Sequence, residues 1–257
     1  MSSPTLSTLV ITNRPAFIDW WTWSIMKQTR LPDEVIIATN LEGDEQTLND
    51  FEDVIQHGLN KIKRVILLRF PKKTSLGELR QATLTKSKGD IINYLDDDDW
   101  YHPWLFAEYV RGIEEKNLSL VGAPGHHRMI LQDMVLFKLG ELIDLIHLPF
   151  CAIKGDLARL IKFAPVSINE DIWWLETISN FIQDKRGGVD LDFPIICMIH
   201  TLNTWNSPDK LMHELEMELT SKKFPKKAPW GVSESEWKTT HRKLQGLRDA
   251  LGFVSID

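Results

Sequence analysis

The stretch Lys88-Gly89-Asp90-Ile91-Ile92-Asn93-Tyr94-Leu95-Asp96-Asp97-Asp98-Asp99-Trp100-Tyr101-His102-Pro103 decides the reading of this chain. An apolar run ending at Leu95 is the right length for one strand, and it stops at four consecutive aspartates. Adjacent carboxylates repel, so such a run needs solvent or a cation to relieve it. The plain alternative is a solvated surface turn, because aspartate favours loops. The flanks argue against that. An apolar strand on one side and Trp100 and Tyr101 on the other put the acids at a sheet edge beside apolar walls. Hard carboxylate oxygens at such an edge suit Mg2+ or Mn2+ bridging a diphosphate. An EF-hand loop is excluded, since its ligand spacing and glycine are missing.

Working back from the acids, short β-branched runs alternate with helical stretches. Strands are expected at residues 6–12, 34–39, 63–69 and 90–95, with helices at 16–29 and near 45–56. A third helix runs from Ser75 to about residue 88, opened by a Ser-x-x-Glu capping box with Glu78. Such β-α repetition with near-continuous apolar strands implies a mostly parallel α/β sheet flanked by helices on both faces. Ligands of open parallel sheets sit beyond the carboxyl ends of the strands. The residues there are Thr12-Asn13-Arg14, Asn40, Lys72-Lys73 and the aspartate run. Fold and chemistry point to one cleft.

Downstream, a helix is expected at 103–116, a strand at 118–123, a strand near 129–136 and an extended piece at 150–153. A helix at 169–183 and a strand at 193–200 follow. Two helices complete the chain. One opens at Ser207-Pro208, with proline at the first helical position. The other opens at Ser233 with a second Ser-x-x-Glu box and carries the stripe Trp237, Leu244, Leu247, Leu251. That stripe must be covered by the main domain or by a second copy in a homo-oligomer. The expected division is a domain over 1–205 and a C-terminal helical appendage over 206–257. Between the last two helices, Lys222 to Lys227 is a basic, proline-broken linker.

Composition narrows the classes. A formal charge of −6 over 257 residues gives no global field for a polyanion, so nucleic-acid binding would need a local basic patch. Cys151 and Cys197 form no spaced framework; they read as two buried small hydrophobes and suit a reducing, cytoplasmic setting. No apolar run approaches the ~20 residues that span a bilayer, and no signal peptide is expected. The ten tryptophans are mostly expected in the core, with a few offering flat faces to a sugar or base.

The ordered set Asn13-Arg14-Pro15, Lys27-Gln28-Thr29, Gly77-Glu78-Leu79-Arg80 and the stretch from Lys88 to Pro103 resembles the successive signatures of glycosyltransferase family 2. The resemblance covers roughly residues 6–205. It implies the GT-A (Rossmann-like) fold and an inverting, Mn2+- or Mg2+-dependent glycosyltransferase. The donor would be UDP- or another nucleoside-diphosphate sugar. In the Asp-x-Asp motif, Asp96 matches the acid near the donor ribose and metal, and Asp98 the acid that binds the metal. Arg80 matches the arginine facing the donor. Thr12, Asn13, Arg14 and Asp97 belong to the donor side. The second strand of the family ends in a base-reading aspartate; here Asn40 stands there.

Two further landmarks follow in order. Glu170-Asp171, opening a helix, matches the family's acidic pair, and Asp171 is the expected general base, with Glu170, Trp173 and His127 as acceptor-side candidates. His200-Thr201-Leu202-Asn203-Thr204 resembles the family's histidine segment, which makes His200 an expected metal ligand. Of His126 and His127, adjacent on a strand, at most one can face the acceptor.

Two competing functions fit the sequence less well. A sugar-1-phosphate nucleotidyltransferase would carry a Gly-rich loop after the first strand, which Thr12-Asn13-Arg14-Pro15 is not. A non-catalytic module holding a nucleotide or glycan is opposed by Asp96, Asp98 and Asp171 and left open by Asn40. Walker A and dinucleotide fingerprints are absent from the sequence. The acceptor stays open among a glycan, a lipid-linked glycan, a protein and a modified nucleic acid.

Overall fold

A computed structural model describes residues 3–123, 127–131, 135–138, 148–182, 185–191, 194–200, 222–223 and 232–251. Four apolar runs become β1 (Leu6–Ile11), β2 (Glu34–Thr39), β3 (Arg64–Arg69) and β4 (Ile91–Asp96). They lie parallel in the order β4-β1-β2-β3. Helices α1 (Ile18–Met26), α2 (Glu45–Gly58) and α3 (Leu76–Lys86) alternate with them. Helix α1 starts later than its expected residue 16, because Pro15–Phe17 form a 3-10 turn. The Ser75–Glu78 capping box forms as read from the sequence.

Alternate strand residues serve two different cores, which is why the runs are largely apolar. Leu6, Val10, Val35, Ile37, Ile91 and Leu95 pack with Trp21, Ile25, Phe51 and Ile55 of α1 and α2. Leu9, Ile36, Ile92 and Tyr94 pack on the opposite face with Leu84 of α3. A strand buried on both faces cannot alternate apolar with polar.

The remaining elements are β5 (Trp100–Tyr101), α4 (Leu105–Glu114), β6 (Leu120–Gly122), β7 (His127–Ile130) and β8 (Val135–Lys138). They continue with β9 (Cys151–Lys154), α5 (Gly155–Leu160), α6 (Glu170–Ile182), β10 (Arg186–Gly188), β11 (Ile195–Ile199), β12 (Lys222–Lys223) and a last helix, here α7 (Glu234–Ala250). The main sheet has seven strands in the order β10-β6-β9-β4-β1-β2-β3. Strand β9 runs antiparallel to both β4 and β6, so the sheet is mostly rather than wholly parallel. The single strand expected near 129–136 is two antiparallel strands, β7 and β8. They belong to a second sheet, ordered β12-β8-β7-β11-β5, that the sequence reading lacked.

Helix α7 is capped by Ser233 with Glu236 as expected. Its Trp237, Leu244 and Leu247 enter the same core as α1, with Leu251 packed alongside. Trp237 meets Trp100 edge to face, with ring centroids 5.6 Å apart. The body of the chain therefore covers the stripe, and the surface proposed for a homo-oligomer contact is used within one chain. The expected helix at Ser207-Pro208, the 205/206 boundary and linker residues 224–227 lie outside the described residues. Among the described residues no helix is long and apolar enough to cross a membrane.

Candidate functional site

The acid run joins the end of β4 to β5, and so carries the chain from the first sheet to the second. A cleft of about 830 Å³ opens there, lined by Thr12, Asn13, Arg14, Asn40, Arg80, Asp96 to Asp99, Glu170 and Asp171 among others. The carboxyl ends of β1, β2 and β4 thus meet the start of α6 in one place.

The four acids divide by direction. One carboxylate oxygen each from Asp96, Asp98 and Asp99 lies within 4.8 Å of the others. Asp97 is only 1% exposed. The Thr12 hydroxyl donates to it at 2.6 Å, and the Arg14 guanidinium forks onto both its oxygens. Asp98 Oδ2 faces Arg14 Nη1 at 2.9 Å and His200 Nε2 at 3.1 Å. Asp99 accepts from the Met198 amide at 3.0 Å, and its carbonyl accepts from Trp20 Nε1 at 2.9 Å.

Electrostatics follow this layout. Withdrawal from bulk water, with repulsion from Asp98 and Asp97, outweighs Arg80 and Arg14 and pushes Asp96 up to about 7. Burial, then Asp98 and Asp96, raises Asp99 well above the carboxylate range. Burial also raises Asp97, against the pull of Arg14. Asp98 goes the other way: burial opposes its charge, but His200 and Arg14 hold it below the ordinary value. Three converging carboxylate oxygens beside an imidazole form a hard donor set, and a divalent cation relieves the repulsion that raises Asp96 and Asp99. The residues fit Mg2+ or Mn2+.

On the β2 side, Asn13 Nδ2 donates to Asn40 Oδ1 at 3.2 Å, while Asn40 Nδ2 donates to the Lys72 and Thr74 carbonyls at 3.1 and 3.3 Å. Asn40 thereby ties the ends of β1 and β3 together.

Beside Asp96, Arg80 on α3 is buried and donates through Nε to Glu170 at 3.1 Å, with Nη2 3.9 Å from Asp96. Its guanidinium carbon sits 5.4 Å from the Tyr94 ring centroid, and the Tyr94 hydroxyl donates to the Arg80 carbonyl at 3.0 Å. The segment before α6 lies against α3, with the Gly77 amide donating to Val166 at 2.9 Å. A Cβ at Gly77 would stand 1.8 Å from the Ala164 carbonyl oxygen, so only glycine admits this approach. Asn169, at φ 60, then turns the chain into α6, a conformation asparagine tolerates. The turn sets Glu170 inward and Asp171 at the cleft wall, where its carboxylate accepts from the Ile172 amide at 2.9 Å.

Some expected neighbours stand elsewhere. Trp173 is 51% exposed and does not line the cleft; Ile172 does. His127 is buried on β7, and its neighbour Arg128 is the residue that lines the cleft. His126 lies outside the described residues. Arg128, stacked 5.8 Å over Phe150, and Cys197 were missed by sequence. Strand alternation allowed at most one of His126 and His127 to face the acceptor and left Arg128 unconsidered. Cys197, expected buried, is partly exposed there. None of the described tryptophans lines the cleft, so the expected flat sugar platform is not among them.

Residues 9–135 match glycosyl transferase family 2. No curated protein matches by sequence. Among solved structures, S. aureus TarS 1–349 in complex with UDP-GlcNAc is similar at a TM-score of 0.60 and 14% identity, over 96% of this chain and 73% of that one. The mannosyltransferase PcManGT from Pyrobaculum calidifontis, in complex with GDP-Man and Mn2+, gives 0.57 and 14%, over 77% and 57%. Glucosyl-3-phosphoglycerate synthase from Mycobacterium tuberculosis, with Mg2+ and UDP, gives 0.53 and 18%, over 81% and 74%. At these identities the likeness is one of fold, the GT-A fold. The chain spans 57% of the mannosyltransferase and 43% of a longer TarS structure.

Proposed function

Starting from a chain that carries a glycosyl transferase family 2 region at residues 9–135, we propose that it moves a sugar from a nucleoside-diphosphate sugar to an acceptor hydroxyl with inversion. The observation that carries this reading is the convergence of Asp96, Asp98 and Asp99 in a cleft that Asp171 also lines.

Asp98 and Asp96, with His200 against Asp98, are the residues that would hold Mn2+ or Mg2+. When bound, that cation supplies neutralisation of the diphosphate charge, so no protein acid is required for the leaving group. Thr12, Asn13, Arg14 and Asn40 form the donor side, and Arg80 adds a fixed positive charge beside Asp96. Asp97 acts indirectly, holding Arg14 and Thr12 in place. Glu170 is committed to Arg80, and Asp171, which also lines the cleft, is the acid of the pair we assign to proton removal.

Asp171 removes the acceptor hydroxyl proton. The freed oxygen bonds to the anomeric carbon from the face opposite the diphosphate, and the bond to the diphosphate oxygen breaks with its electron pair. The Ile172 amide donates to the Asp171 carboxylate at 2.9 Å, which orients it at the start of α6. Ile172 and Arg128, which line the cleft, are assigned to the acceptor side in this reading. A donor panel read by product mass tests this. Nucleoside diphosphate released from one donor in Mn2+, and lost in EDTA and in Asp98→Ala, is the expected result; no turnover of any donor would refute it.

A further inference from the structure

The first loop of the cleft puts one of the chain's own cations on the carboxylate that the proposed function assigns to the metal. Arg14 follows β1 and sits at the start of the Pro15–Phe17 turn. Its Nη1 lies 2.9 Å from Asp98 Oδ2, the same oxygen that faces His200 Nε2 at 3.1 Å. Its Nε and Nη2 hold Asp97. The guanidinium carbon stacks 4.9 Å over the Phe17 ring, and that ring is 4.8 Å from His200. Asp98, Arg14, Phe17 and His200 therefore close a ring of contacts around one carboxylate oxygen. With the Arg14 side chain only 21% exposed, the guanidinium is held there by contacts on several sides.

We infer that Arg14 is an internal counter-cation that competes with the divalent cation for Asp98, so that loading the site requires release of the Nη1 contact. The inference rests on the reading of Asp98 as a ligand. Two cations on one carboxylate oxygen repel, and a guanidinium a hydrogen bond away lowers the field that draws a second cation in. In exchange, the guanidinium offsets the charge of a buried acid pair, so the chain folds without depending on metal. A turn of the Asp98 carboxylate away from Nη1 breaks this contact and leaves Arg14 bound to Asp97 through Nε and Nη2.

Mn2+ alone, titrated by electron paramagnetic resonance, and thermal melts in EDTA and in Mn2+ test this without any donor. The proteins are wild type, Arg14→Met, Arg14→Met/Asp97→Asn and Asp98→Ala. Losing one positive charge at hydrogen-bond range should tighten Mn2+ binding about tenfold or more in Arg14→Met. That variant should melt lower than wild type in EDTA and gain more from Mn2+, and Asp97→Asn should restore part of the EDTA loss. Arg14→Gln, which keeps a hydrogen-bond donor without the charge, gives the same comparison if Arg14→Met does not fold. Equal or weaker Mn2+ binding in the Arg14 variants overturns the competition, as does an unchanged melt in EDTA. Unchanged Mn2+ binding in Asp98→Ala overturns instead the ligand reading on which it rests.

Discussion

Glu170 and Asp171 are neighbours in sequence, and the structure gives them opposite surroundings, which a stability measurement separates. Glu170 is 2% exposed and Arg80 is 6% exposed, joined at 3.1 Å. Glu170→Ala leaves the Arg80 guanidinium with Asp96 at 3.9 Å and the Tyr94 ring at 5.4 Å. Removing one partner of a buried pair costs about 3–5 kcal/mol, and the surviving Asp96 contact sets the loss near the lower end, about 3 kcal/mol. At roughly 2–4 °C per kcal/mol for a chain of this size, Tm should fall by about 6–12 °C. Asp171→Ala loses a partly exposed carboxylate and a favourable helix-terminus charge, worth about 0.3–1 kcal/mol. Thermal melts of both variants in one buffer, without metal, decide the matter. A Glu170→Ala protein that melts with wild type, or an Asp171→Ala protein that falls as far, would refute the brace.

Acid sensitivity should arise at the opposite end of the sheet. Burial alone would raise Glu34, but the Ser7 hydroxyl, the Lys88 amide and Arg64 outweigh it and hold the carboxylate below its ordinary value of 4.5. Asp33 and Asp90 are lowered too, Asp33 despite burial and Asp90 by the Thr5 amide and hydroxyl. A lowered folded value means the unfolded chain binds more protons, so this stability is present above the unfolded value and is lost as pH falls below it. Urea melts from pH 7 to pH 3 should show a shallower acid slope in Glu34→Gln; an identical slope would contradict the assignment. Trp237→Ala, which empties a buried site against Trp100, should cost about 3–5 kcal/mol and expose α7 to limited proteolysis. Unchanged protease resistance would mean α7 is held by something other than this contact.

The parts of the fold legible in the sequence were those whose signal is local. Strands β1 to β4 are largely apolar runs because side chains on both faces pack against a core, and the caps at Ser75 and Ser233 are spelled out by a glutamate three residues on. Trp100–Tyr101 and Lys222–Lys223 are strands of two residues, too short to show a period, and they exist through partners far away in sequence. The antiparallel direction of β9 leaves no trace in hydropathy, since a strand buried between two others is apolar in either direction. At the site, the acid run was visible as charges ending an apolar strand, and Arg80 through the family resemblance. The pairing of Arg80 with Glu170 was not, because the two are 90 residues apart. Arg128 was hidden by a face ambiguity that only the pairing of β7 with β11 resolves.

In the proposed mechanism Asp98 serves donor binding while Asp171 serves proton removal. The rate of nucleoside-diphosphate release, titrated with the active donor and acceptor in Mn2+ for wild type, Asp98→Asn and Asp171→Asn, tests it most directly. Asp171→Asn should keep the donor KM and lose about 10²–10⁴-fold in kcat, the range of general-base catalysis. Asp98→Asn should lose donor binding, and the wild-type product should have the opposite anomeric configuration to the donor. Near-normal turnover in Asp171→Asn, or a product that retains configuration, would contradict the account.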